Sequence, residues 1–206
     1  NSDVFFVSLM KHYKSFYIDT ITNQLPDLVK PKDFDHFHDV LKGRFYSCRL
    51  LFNRNNSHSI KKEILIECTK NKVSFFLEEV IPALIITNEY SFLKKVLDKY
   101  YEEVFEHELW SSVTTNSIYL LGLANVNWNS QNTQMAKRNL ELVELEKIEI
   151  GYYDYIALFY HLTALKISFT ENNKPANVGV YKALQKLIKK TRFLRFEEQS
   201  SEFVLI

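Results

Sequence analysis

Six histidines, two cysteines and 25 acidic residues are the groups from which this chain could assemble a reactive site. His36 and His38, flanked by Asp35 and Asp39, invite a metal reading. Side chains two apart on a helix point to nearly opposite sides, however, so these two cannot chelate one ion from that helix alone. The run Glu102, Glu103, Glu106, His107, Glu108 resembles a carboxylate-rich metal helix. Neither Glu-x-x-His nor His-Glu-x-x-His occurs, and without a second motif to supply further ligands this run reads as a solvated helix face. Cys48 and Cys68 follow no metal-ligand or disulfide spacing and read as buried free thiols in a reducing compartment. Phosphate loops, dinucleotide turns and nucleophile elbows all need closely spaced glycines. The chain has four glycines in all, and none of these motifs is present. The expectation is a protein without catalytic residues, metal or cofactor.

Two features suit binding better than catalysis. The series Lys182, Lys186, Lys189, Lys190, Arg192 and Arg195 concentrates positive charge late in a helix. There it either complements the helix dipole or forms a patch for phosphate or carboxylate. The stretch Tyr152, Tyr153, Tyr155, Phe159, Tyr160 is unusually aromatic, and rings spaced around a helix barrel cannot all enter a core. Some are expected to line a surface or groove, where a rigid ring with a hydroxyl suits peptide recognition. On a neighbouring helix Asn116, Tyr119 and Leu123 share a face at steps of three and four. An asparagine there either clamps an extended peptide backbone, its amide offering both donor and acceptor, or bridges adjacent helices.

The elements that must position these groups are helical. The hydrophobic fraction is 46% and the aromatic fraction 15%, enough for a sizeable core, and 4 Gly with 4 Pro leave few tight turns. Apolar steps of three and four predict helices over about 3–22, 33–52, 59–69 and from 71 to the mid-80s, where Pro82 should kink or loosen the last turn. Asn88 is expected to cap a helix to about 107. Further helices are expected from 111 or 112 to 126, from 131 to 148, from 152 to 169, and behind Pro175 to about 191, with 193–206 either helical or extended. The pairs 112–148 and 152–191 each read as helix, polar Asn-rich turn, helix, about forty residues long. Their architecture is that of a degenerate α-hairpin array related to tetratricopeptide repeats, with a plain helical bundle as the alternative. The fold class expected is therefore all-α, stacked antiparallel hairpins in a right-handed solenoid, as one domain over 1–206. No run approaches the roughly 18 apolar residues a membrane span needs. The net charge of +1 lacks the basic excess of a phosphate-gripping DNA reader.

Three stretches carry a resemblance to a known family: Asn88 to Val104 (NEYSFLKKVLDKYYEEV), Thr115 to Leu123 (TNSIYLLGL), and Leu145 to Asn173 with its Gly-Tyr-Tyr-Asp start. In pattern these are similar to the C-terminal domain of the Rgg/PrgX-type regulators, cytoplasmic peptide-pheromone receptors of Gram-positive bacteria. The resemblance implies a dimerising helical-repeat domain that holds a short secreted signalling peptide on a concave surface. DNA is then reached only through an upstream helix-turn-helix domain missing from this chain, in keeping with a first residue, Asn1, that is not methionine. Asn116 matches the family's asparagine as a peptide-backbone contact. The basic residues some members set against their peptide have no counterpart that can be placed here. The expected function is peptide sensing in quorum-dependent transcription regulation. The candidate groove is Asn116, Tyr119, Leu123, Tyr155, Phe159 and Thr163. The rival expectations are a helical scaffold for protein partners and, if buried carboxylates converge, an all-α enzyme.

Overall fold

Apolar residues at helical spacing, separated by short Asn- and Ser-rich joints, form helices throughout the residues that the structure, a computed structural model, describes: 30, 32–52, 57–69, 73–106, 113–149 and 151–205. Among them no strand occurs, and the fold is all-α. The expected helix at 3–22 lies outside the described residues. The chain divides into two compact units, Asn1–Leu109 and Trp110–Ile206. Each encloses a core of its own.

In the first unit a 3-10 turn at Phe34–His36 precedes α1 (Asp39–Phe52), followed by α2 (Ser57–Glu67), α3 (Val73–Ile86) and α4 (Tyr90–Glu106). The helix expected from residue 33 is thus interrupted. Phe37 is extended, and the His38 ring accepts the Val40 N–H at 3.3 Å, so His38 caps the start of α1. Helices α1 and α3 pack together and cross closely because Gly43 has no side chain. A Cβ there would lie 2.6 Å from the Phe76 carbonyl oxygen. One turn on, the Ser47 hydroxyl donates to the carbonyls of both Gly43 and Glu79, tying the helices together. Phe34, Phe45, Tyr46 and Phe76 meet edge-on or tilted beneath this crossing. Arg44 pairs with Glu79 across the crossing, Arg49 of α1 with Glu63 of α2, and Lys61 of α2 with Glu89 just before α4. Pro82 sits inside α3, which nevertheless continues for four more residues. Asn88 does not open α4. It closes α3 in the left-handed conformation, with φ of 59°, a role asparagine fills because it tolerates positive φ.

The second unit comprises α5 (Val113–Asn129), α6 (Thr133–Glu141), a 3-10 turn at Leu145–Lys147, α7 (Tyr153–Thr170), α8 (Lys174–Thr191) and α9 (Arg195–Ser201). Trp128, expected in a turn, lies in the last turn of α5. Helix α6 is nine residues long and ends well before Ile148. Both hairpin turns have one geometry. In each, a residue at positive φ (Gln131 at 60°, Asn172 at 52°) closes the first helix. The N–H of the next residue then reaches the carbonyl five back: Asn132 to Asn127, Asn173 to Ser168. Those asparagines also cap the second helix, their side chains accepting from Met135 and Ala176 N–H. Helix α5 packs on α6, α7 on both, α8 on α7, and α9 on α7 and α8. No helix among the described residues is long and apolar enough to cross a membrane.

Candidate functional site

Helix α7 is the centre of the second unit, touched by α5, α6, α8 and α9, and its burial decides where the expected groove residues go. Tyr155, Phe159 and Thr163, one turn apart, form its buried face. Phe159 meets Tyr155 at 5.2 Å and Phe196 of α9 at 4.9 Å, both edge-on. Thr163 donates to the Phe159 carbonyl and accepts from Asn125 of α5. These three side chains serve helix packing and do not line an open groove. Tyr119 is also buried, whereas Asn116 and Leu123 on the same helix are half-buried. Tyr152 and Tyr153, at the start of α7, are the exposed rings of the aromatic stretch.

What the structure does bring together is a polar seam around Thr163, whose other members sequence reasoning did not single out as a site. Asn125, wholly buried, donates to the Leu121 carbonyl at 2.9 Å and to Thr163 Oγ1 at 2.8 Å. Its Oδ1 accepts from the Lys166 ammonium at 3.3 Å. Lys166 is wholly buried as well, with its Nζ 5.2 Å from the Trp128 ring and 5.7 Å from the Phe203 ring. Loss of water pushes its pKa down to about 7, a shift that the charge of Glu202 partly offsets. Trp128 Nε1 donates to Thr170 Oγ1 at 2.9 Å, closing the seam at the end of α7.

The seam leads to a clamp. Asn177, in the first turn of α8 and wholly buried, donates to Ser168 Oγ at 3.1 Å and to the Phe203 carbonyl at 2.9 Å. Its Oδ1 accepts the Leu205 N–H at 2.8 Å. One side-chain amide therefore engages the carbonyl of one residue and the N–H two further on, as a neighbouring strand would engage an extended chain. The Phe203 ring stands edge-on to Trp128 at 5.6 Å and to Phe169 at 5.8 Å. Chemically the arrangement recognises backbone through an amide and a side chain through two rings. Its sequence signal was polar residues, Asn125 and Lys166, set inside apolar runs of buried helices.

The other candidates resolve as structure. Lys190 pairs with Asp154 at the start of α7, Arg192 closes α8 at positive φ, and Arg195 is buried. Burial raises the Cys48 thiol far above its ordinary value, which keeps it protonated and unreactive at neutral pH. Among the described residues no three His, Cys, Asp or Glu side chains converge to hold a metal. His107 and Glu108 lie outside the described residues, as do the side chains of Glu102, Glu103 and Glu106. Compared with protein-family models, curated proteins and solved structures, the chain has no match in any of the three.

Proposed function

We propose that this chain is the peptide-sensing and dimerising part of a cytoplasmic bacterial transcription regulator. DNA would be reached through a separate helix-turn-helix domain, as the resemblance to Rgg/PrgX-type receptors implies. The observation that carries the reading is the Asn177 amide holding a non-helical backbone across two residues. A side-chain amide can hold an extended peptide in the same way, because it offers a donor and an acceptor to the backbone. Two features support a tetratricopeptide-like stacking of the hairpins. The first helix of the second pair packs on both helices of the pair before it, α7 on α5 and α6, and the short α9 packs on α7 and α8. The hairpin turn also recurs with the same hydrogen bonds. Of the face expected to meet the ligand, Asn116 and Leu123 keep partial exposure and are the contacts proposed. Ligand binding would act by favouring one of two helix arrangements through differential affinity.

The test is selection of binders from a random peptide library on the full chain, followed by titration calorimetry of the selected peptides. Asn116→Ala is expected to weaken binding at least about tenfold, the loss of one well-placed hydrogen-bonding pair. Unchanged affinity removes Asn116 from the site, and a library that yields no binder removes the reading. A second reading, a scaffold for protein partners, is favoured by exposed Leu142, Tyr152 and Tyr153, at 56%, 38% and 40% exposure.

A further inference from the structure

The Phe203 N–H donates to the Ser200 carbonyl within its own turn, whereas other backbone groups of Phe203–Leu205 are held from a distance. Here the Phe203 carbonyl and the Leu205 N–H are both met by the buried amide of Asn177, 26 and 28 positions away. The Phe203 ring is set against Trp128 and Phe169, which occupy the same place in their two helices: each donates no backbone bond to the hairpin turn but offers the carbonyl that the left-handed residue takes, Gln131 in one case and Asn172 in the other. The ring-and-amide notch is thus built by the stacked hairpins, and the segment only occupies it.

We propose that this notch is a binding site for an extended peptide segment of the pattern aromatic–x–aliphatic, and that residues 203–205 are its built-in competitor. The inference deepens the proposed function and rests on its peptide reading, but it uses Asn177, Trp128 and Phe169 rather than Asn116. The pattern follows from the seated segment: an aromatic side chain enters between the two rings, the middle residue makes no bond to the clamp, and the third supplies the N–H to Asn177. A tethered segment competes at an effective concentration in the millimolar range. An incoming peptide therefore binds weakly until the segment is unseated, and its arrival frees the segment.

The probe is a fluorescein-labelled peptide of sequence Glu-Phe-Val-Leu-Ile, the chain's own residues 202–206, titrated against the full chain by anisotropy. The double variant Phe203→Ala/Leu205→Pro unseats the segment, since it removes the ring and the N–H that Asn177 accepts, and leaves the notch intact. It is expected to bind the probe at least tenfold tighter than the wild type. Adding Asn177→Leu is expected to abolish that gain, whereas adding Asn116→Ala leaves it unchanged. Equal affinity of the double variant and the wild type overturns the inference, as does a gain that survives Asn177→Leu. Either result removes the Asn177 clamp as support for the proposed function, whose own test, the library selection with Asn116→Ala, is read separately. A measurement on the unaltered chain guards against misfolding of the variants: saturating unlabelled probe is expected to speed amide exchange at Leu205 at least tenfold. An unchanged exchange rate there refutes displacement.

Discussion

Replacing Lys166 by methionine tests whether a buried ammonium limits the stability of the second unit. The folded chain holds this group at a pKa of about 7, against 10.5 for the solvated side chain. At about 1.4 kcal/mol per pH unit, charged Lys166 costs the folded state on the order of 5 kcal/mol. The direction follows from proton binding. Between pH 7 and 10.5 the unfolded chain carries the proton and the folded chain does not, so stability rises with pH across that window and levels off on either side. From pH 7 to pH 9 the gain from this group is about 2 kcal/mol. Methionine keeps the volume and the unbranched stem, and removes the charge together with the donor to Asn125. The expected result at pH 7 is a net stabilisation of roughly 1–3 kcal/mol, the relief of the buried charge less the lost hydrogen bond. The assay is urea unfolding followed by Trp128 fluorescence in a Trp110→Phe background, at pH 7, 8 and 9. Wild type and Lys166→Met should converge by about 2 kcal/mol over that range. A difference between them that stays constant with pH would refute the assignment of Lys166 as a buried, partly neutral amine.

Gly43→Ala places a methyl 2.6 Å from the Phe76 carbonyl oxygen and 2.9 Å from Glu79 Cβ. The α1–α3 crossing must open, at a cost of about 1–3 kcal/mol in urea unfolding, and a neutral result would contradict the close approach. Phe159→Ala empties the centre of the second unit and is expected to cost about 3–5 kcal/mol. A cost under 1 kcal/mol, with peptide affinity lost instead, would restore Phe159 to the groove. Asn173→Ala removes the cap on α8 and is expected to cost about 1 kcal/mol, read as a lower thermal midpoint.

The helices were legible in the sequence because burying one face forces apolar residues into steps of three and four, and because scarce Gly and Pro leave long runs unbroken. The Asn-rich hairpin turns were legible for a related reason, since asparagine caps helices and tolerates positive φ. That double aptitude also explains the reversal at Asn88: composition cannot say whether an asparagine ends one helix or begins the next, and the backbone hydrogen bonds decide. The placement of the expected groove residues was not legible. Helix α7 is surrounded by four others, so its sequence is apolar nearly all round and carries no mark of which ring stays exposed. Tyr155, Phe159 and Thr163 went to the core for that reason. Asn125 and Lys166, 41 positions apart, meet only because α5 packs on α7, and Asn177 and Leu205, 28 apart, only because the chain after α9 returns to the start of α8. Local spacing sets periodicity and caps; which polar groups share one buried space depends on long-range packing, and that was decided by the tertiary structure alone.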